Sequence, residues 1–396
     1  MRISTAQSFD VGIANLQRSQ SELAESQQRM TSLKRVNKAS DDPAAAARAE
    51  RALASVVRSE TSQRAVDASR SAMSQTEGAL ADAGALIQQA RDAIVAAGNG
   101  TYSDAERKNM ADQIAQIRQQ LLAVANRADA AGGHLFAGQG ATQAPFVDAP
   151  GGVRFVGTGG QSTTDATTGL PLSVDGGAVF LSSRSGNGVF ETSAGTGVTQ
   201  ARIDAGSVTD PGALTGSSYT VQFGVSAGVT TYAVLENGLP TAITAAPYVS
   251  GKAIQFDGMS MTVTGKPADG DRFNAAPSSA DLSIFDVLDR AATALATAGR
   301  TGPQIAQANG NALRDLDASL SSVHSARALA GQMLGRIDTE TSRLGDVKLM
   351  GQTERSLAED LDLAAAVSEF QTRQTSYDAA LKSYAMVQRL SLFDHL

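Results

Sequence analysis

SFDVGIANLQRSQSELAESQQRM, residues 8–30, sets Phe9, Ile13, Leu16, Gln20, Leu23, Gln27 and Met30 at alternating four- and three-residue steps. That spacing averages about 3.5 residues, the period that keeps one helix face turned toward a neighbouring helix. The far end of the chain repeats it in Leu363, Val367, Phe370, Gln374, Tyr377, Leu381, Tyr384 and Gln388. Both ends are therefore expected to be coiled-coil helices, packed on each other and on further subunits. Glutamines within such a stripe lower its stability and help fix register.

Working inward, residues 1–36 read as one helical stretch. It breaks at Val36-Asn37-Lys38-Ala39-Ser40-Asp41-Asp42-Pro43. Asp42 reads as an N-cap and Pro43 as the first helical residue, where a missing N–H costs nothing. Asp41 suits the positive end of the helix dipole. Val66, Ser69, Met73, Thr76, Leu80, Ala83, Ile87, Ala90 and Ile94 then continue the stripe to Gly98-Asn99-Gly100. A helix over 43–97 would be about 80 Å long at ~1.5 Å per residue. A compact globule of this chain would be roughly 55 Å across. The expected shape is an elongated helical rod. Ser103 and Glu106 have capping-box spacing for the next helix. Met110, Ile114, Ile117, Leu121 and Val124 give that helix its apolar stripe, antiparallel to its predecessor because the loop is short.

The texture changes at Gly132-Gly133. Residues 141–279 are rich in Gly, Thr, Ser and Val, and Tyr219, Val221, Phe223 and Val225 alternate with period two. Asn237-Gly238 and Asp257-Gly258 are hairpin signals. Helix returns after Asp281, with Phe285, Leu288, Ala292 and Leu295 in a short stripe, then Leu313 to Leu344 in a long one. The fold class is thus mainly α with an inserted β-rich domain. Its expected parts are a terminal coiled-coil domain (1–40 plus 355–396), a helical rod domain (41–140 plus 280–354) and a β-rich outer domain (141–279).

Composition narrows function by exclusion. The chain has 396 residues, net charge −7, three histidines and no cysteine. Disulfides, thiolate nucleophiles and Cys-bound metals are ruled out. The absence of cysteine suits a chain exported unfolded into an oxidising space. Basic residues do not cluster, so nucleic acid is not an expected partner. No run of ~18 apolar residues suggests a membrane span. The opening residues lack the apolar core of a secretory signal peptide, which reads as cytoplasmic or as export without cleavage.

Catalytic signatures are also missing. His134, His324 and His395 have no partner at metal-ligand spacing. Gly157-Thr158-Gly159-Gly160 and Gly195-Thr196-Gly197 lack the Gly-Lys-Ser/Thr of a phosphate loop. Asp41-Asp42 is better explained by capping than by acid–base work. Asp269-Gly270-Asp271 lacks the further acidic positions of an EF-hand and reads as a turn. No enzyme, cofactor or metal site is expected.

Several segments resemble the bacterial flagellin family: Met1-Arg2-Ile3-Ser4-Thr5, Arg35-Val36-Asn37-Lys38-Ala39-Ser40-Asp41-Asp42-Pro43 running on to Arg48, and His134-Leu135-Phe136-Ala137-Gly138. Pro267-Ala268-Asp269-Gly270-Asp271-Arg272-Phe273 and the tail Gln371–Leu396, ending Leu390-Ser391-Leu392-Phe393-Asp394-His395-Leu396, resemble its hook-associated members. Ala39 departs from the family, which often has proline there.

The resemblance implies a flagellin-like structural subunit of the flagellum, exported by the type III apparatus with a flagellar export chaperone. It implies a ring of identical subunits touching the first hook-associated protein and flagellin. The residues expected at subunit contacts are Phe9, Ile13, Leu16, Leu23, Met30, Leu363, Val367, Phe370, Tyr377, Leu381 and Tyr384. The alternatives are the filament subunit itself, a glycan-binding module in 141–279, and a cytoplasmic signalling rod.

Overall fold

The computed structural model describes residues 5–129, 132–140, 143–164 and 169–393, with backbone alone at 5, 6, 8, 9 and 387–393. Residues Met1–Arg64 with Thr339–Leu396 form one compact unit, and Ala65–Asp338 the other.

The helices are α1 (Thr5–Ser32), α2 (Pro43–Ala97), α3 (Asp104–Ala125), the short α4 (Gly176–Phe180), α5 (Ile284–Ala296), α6 (Gly302–Glu359) and α7 (Leu363–Phe393). The first lies inside the helical stretch expected over 1–36, which proves too long at its C-terminal end. Leu33 has φ 58°, a left-handed conformation that a branched side chain rarely adopts, so the helix stops at Ser32. By contrast α2 begins at Pro43, as the cap signal requires, and continues through Gly78 and Gly84.

In the first unit, the start of α2 packs antiparallel on the end of α6. Ser59 donates to the Leu344 carbonyl at 2.7 Å, and Lys348 pairs with Glu60 at 2.9 Å. Ala45, Ala49, Ala52 and Val56 are buried on α2, and Leu344, Gly351 and Ala358 on α6. The three α6 positions are seven residues apart, the repeat that turns one face steadily toward a partner. Glycine is required at 351, because a Cβ there would lie 2.9 Å from Val56 Cγ2.

In the second unit, every residue of the α2 stripe from Val66 to Ile94 is buried. Leu316, Val323, Ala330 and Ile337 of α6 are buried at the same heptad spacing. Arg91–Asp317 (3.0 Å), Arg327–Glu77 (2.6 Å) and Arg70–Asp338 (2.6 Å) mark the antiparallel register. The Ser103/Glu106 capping box forms as read, and α3 runs back along α2 until Arg127 meets Asp82 at 2.8 Å. Ala292 of α5 is half-buried; Ile284, Val287 and Ala291 join Phe285, Leu288 and Leu295 on the buried face.

The segment between α3 and α5 packs in two ways. Its first part carries the hairpin of β1 (Phe146–Ala149) and β2 (Gly152–Phe155). There Phe146 lies 5.6 Å from Phe180 and 6.0 Å from Phe285 of α5. Arg118 of α3 is buried and holds this layer: it bonds both Asp148 oxygens at 2.8 Å and pairs with Asp289 of α5 at 2.7 Å. Bonding to Asp148 raises the guanidinium's pKa, and Arg118 lowers that of Asp148.

The second part contains β3 (Phe190–Ala194), β4 (Ala201–Ile203), β5 (Ser207–Val208), β6 (Tyr219–Ser226), β7 (Val229–Glu236), β8 (Leu239–Pro240), β9 (Ala246–Pro247), β10 (Ala253–Phe256), β11 (Met259–Gly265) and β12 (Arg272–Pro277). One antiparallel sheet runs β3-β12-β6-β7-β8, with β9 also on β7; the other runs β10-β11-β4, with β5 also on β11. Tyr219, Val221 and Phe223 alternate into a core shared with Phe273, Ile254, Met261 and Val263. Both expected hairpin turns form, with Asn237-Gly238 and Asp257-Gly258 at positive φ throughout. A third turn, Ala227-Gly228, has the same conformation.

Candidate subunit-contact surface

The two chain ends pair with each other. Arg373 of α7 pairs with Glu22 of α1 at 3.7 Å and donates to the Glu22 carbonyl at 3.2 Å. A Cβ on Gly12 would lie 3.3 Å from the Tyr384 ring. The helices therefore run antiparallel.

The seam uses only part of each expected stripe. On α1 the half-buried or buried positions are Gly12, Leu16, Ser19, Leu23, Ser26 and Met30, themselves a four-three series, together with Arg29. On α7 they are Ala366, Phe370, Arg373, Tyr377, Ala380 and Tyr384. Small residues alternate with large ones on α1, letting the backbones approach. Leu16, Leu23, Met30, Phe370, Tyr377 and Tyr384 thus lie on the intrachain seam.

The other members of the stripes face solvent. Ile13 is 42% exposed, Leu363 52%, Val367 36% and Leu381 42%. Gln20, Gln27 and Gln374 are exposed beside them and do not break the intrachain seam. The side chains of Phe9 and Gln388 lie outside the described residues. A second stripe, apolar and amide, is left open on the surface of the α1–α7 pair.

Where the pair begins, two chain breaks are tied together. The Arg35 N–H donates to the Glu359 carbonyl at 2.7 Å, and the Leu361 N–H to the Leu33 carbonyl at 3.1 Å. The Arg35 guanidinium reaches the Ala358 carbonyl at 2.8 Å and Asp42 at 3.2 Å. Glu359 accepts from Arg355 at 2.8 Å and pairs with Lys34.

Asp42 caps α2, accepting from the Ala45 and Ala44 N–H groups at 2.9 and 3.1 Å. The Ala45 bond, then Arg35, holds its pKa down. Asp41 has a different job from the one its position suggested. It accepts from the Lys38 and Asn37 N–H groups at 2.9 and 3.0 Å, closing the loop and lowering its own pKa. Asp362 caps α7 through the Ala364 and Ala365 N–H groups. That second cap and the break before it lack a Gly or Pro signal in the sequence.

Among the described residues, no group of three or more His, Cys, Asp or Glu could hold a metal ion. His134 packs structurally, its Nδ1 3.0 Å from the Asn126 carbonyl oxygen, and His324 is exposed. His395 lies outside the described residues. Asp269 and Asp271 bind the Val225 and Ala268 N–H groups as turn residues, and β12 stands between that turn and the returning helices. No described helix is long and apolar enough to cross a membrane.

Comparison with known proteins fits this arrangement. Residues 3–141 match the N-terminal helical region of bacterial flagellin. Residues 191–277 match the D2-like domain of flagellar hook-associated protein 1, and they coincide with the two-sheet core. Flagellar hook-associated protein 3 of Escherichia coli (strain K12) is 26% identical over 400 residues, covering 99% of each chain. The chain is homologous along its whole length to flagellar hook-associated protein 3, and it carries a flagellin N-terminal helical region.

The Salmonella typhimurium hook-associated protein 3 is 37% identical over 154 residues, 38% of this chain and 48% of that protein's length. The crystal structure of the flagellar junction protein from Legionella pneumophila superposes with TM-score 0.65 at 27% identity, covering 71% of this chain and 95% of that one. Salmonella flagellins match less of themselves: 34% identity over 113 residues, 22% of their length.

Proposed function

We propose that this chain is a structural subunit of the bacterial flagellum that joins the hook, through the first hook-associated protein, to the flagellin filament. The end-to-end match to hook-associated protein 3 carries this reading. The filament-subunit alternative is favoured by a partial match to flagellin, over 28% of this chain.

The mechanism is mechanical. The α1–α7 pair supplies the contact surface, and its open stripe of Ile13, Leu363, Val367 and Leu381 packs on neighbouring subunits. Leu16, Leu23, Met30, Phe370, Tyr377 and Tyr384 contribute by holding the two helices in register. The neighbours are further copies in a ring, the first hook-associated protein below and flagellin above. Export by the flagellar type III apparatus, escorted by a flagellar chaperone, completes the reading. No catalytic step is part of it.

The test is a strain lacking this chain. It should secrete flagellin yet carry hooks without filaments, and the intact gene should restore both filament and swimming. Attached filaments in the deletion strain would overturn the assignment. Loss of the filament protein itself would favour the alternative.

A further inference from the structure

In the second unit a cavity of about 390 Å³ lies between the β3–β4 loop, α5 and the first turns of α6. Ala291 and Ala294 of α5 and Ala308 and Ala312 of α6 are its small lining residues, beside longer polar side chains from both helices. Val287 and Val198 complete the apolar lining.

The polar lining is unlike in kind, with hydroxyls, amides, one carboxylate and two guanidinium groups. Arg300 stands in the α5–α6 connection, and its only described polar partner is the Ala294 carbonyl, a long 3.4 Å away. Arg290, on α5, contacts Asp315 at 3.6 Å. Asp315 is itself buried and held by Arg314 at 3.0 Å. Gln304 and Gln307 spend their amides on the protein, accepting from the Thr301 and Ile203 N–H groups and donating to the Val198 carbonyl and Asn311. They are wall, and Arg300 is the lining cation with no described carboxylate partner, whereas Arg290 has Asp315.

Small-molecule sites are typically hollows of about 300–1,000 Å³, mostly apolar, with a small number of placed polar groups. This cavity fits that description in volume, and its lining mixes polar and apolar groups in about equal share. A guanidinium offers two parallel N–H donors that match a carboxylate. We propose that the cavity binds a small organic carboxylate, its acid group on Arg300 and its apolar body against the four alanines. The β3–β4 loop, with Gly195-Thr196-Gly197, closes one side. This assigns to that glycine-rich segment a role beyond a simple turn, and it is independent of the subunit's place in the flagellum.

The full chain should be titrated calorimetrically with benzoate, and with benzyl alcohol as the neutral counterpart. Saturable one-to-one binding of benzoate, at least tenfold tighter than of the alcohol, is the expected result. Arg300→Gln should weaken benzoate at least tenfold and leave the alcohol unchanged. Ala308→Leu should fill the hollow and abolish both while the circular dichroism stays that of the parent. Absence of benzoate binding to the parent chain would overturn the proposal. So would benzoate binding that Arg300→Gln leaves unchanged. If Ala308→Leu fails to fold, Ala294→Val is the smaller filling change, and unaltered binding in that folded variant counts equally against the site.

Discussion

Between Val66 and Ile94 the stripe of α2 is closed off from solvent at every position, whereas along α1 and α7 the same spacing leaves Ile13, Leu363, Val367 and Leu381 in water. The difference is in the surroundings, since both stretches follow the four-three rule. The second unit contains α3, α5 and much of α6 as well as β structure. The α1–α7 pair offers each terminal helix one partner, which covers one face. A repeat of this kind therefore states that a helix wants neighbours, and the rest of the chain decides whether they are internal. Helices whose apolar faces remain open draw little stability from their own molecule.

The sharpest way to break this comparison is a pair of matched truncations. Leu80→Ala empties a fully buried site and should cost about 3 kcal/mol, within the range of core leucine deletions. Leu16→Ala, at a half-buried site, should cost under about 1 kcal/mol. Chemical denaturation of the free chain measures both. Equal losses would mean that the terminal pair is a true internal core and that the open stripe needs another explanation.

The second test separates folding from assembly. Val367→Ser combined with Leu381→Ser should change the stability of the free chain by less than about 0.5 kcal/mol, as exposed substitutions do. The same variant should nevertheless fail to attach filaments in the deletion strain. Normal filaments would remove these side chains from the contact surface.

A subtler change in the opposite direction is Gln374→Leu. It extends the open apolar stripe between Val367 and Leu381 and should promote self-association of the purified chain in sedimentation velocity. A strictly monomeric variant would show that the amide does not restrain pairing.

The sequence was most legible where chemistry is local. Asp42-Pro43 located the start of α2, Ser103 with Glu106 that of α3, and two Asn/Asp-Gly pairs named their hairpins. It was least legible where partners are distant. Arg118 stands between Ile117 and Leu121 of an apolar stripe, and its carboxylates are supplied by Asp148 and Asp289 from other elements. Ala227-Gly228 turns a hairpin without the usual Asn or Asp, because the long β6–β7 pairing fixes its ends. The α6–α7 break has no Gly or Pro; backbone bonds from Leu33 and Arg35 stabilise it. In the contact surface, the right helices and the right period were readable. The assignment of Leu16 to the seam and Ile13 to solvent was not, since two overlapping four-three series run along α1 and only packing chooses between them.

The smallest expected effect concerns pH and the clamp at the base of the pair. Glu359 is held below its ordinary value of 4.5, chiefly by Arg355 and also by Lys34. Asp41 and Asp42 are held below 3.8 by the N–H groups they accept. A carboxylate whose pKa is depressed by folding contributes stability that is complete above its unfolded value and lost as pH falls through its folded value. The clamp should therefore be indifferent to pH near neutrality and weaken only below the ordinary carboxylate range. Amide-exchange protection factors, corrected for intrinsic rates, should fall along α1 and α7 as pH drops toward roughly 3. Those of the Val66–Ile94 stripe should fall less, because its buried residues are uncharged and the ion pairs beside it, Arg70–Asp338, Arg327–Glu77 and Arg91–Asp317, are solvent-exposed and contribute little. Glu359→Gln should lower the terminal protection already at neutral pH and flatten its acid dependence. Protection of α1 and α7 that survives acid in the parent chain would mean that the seam alone holds the terminal pair, and that Arg35, Lys34 and Glu359 merely decorate the break.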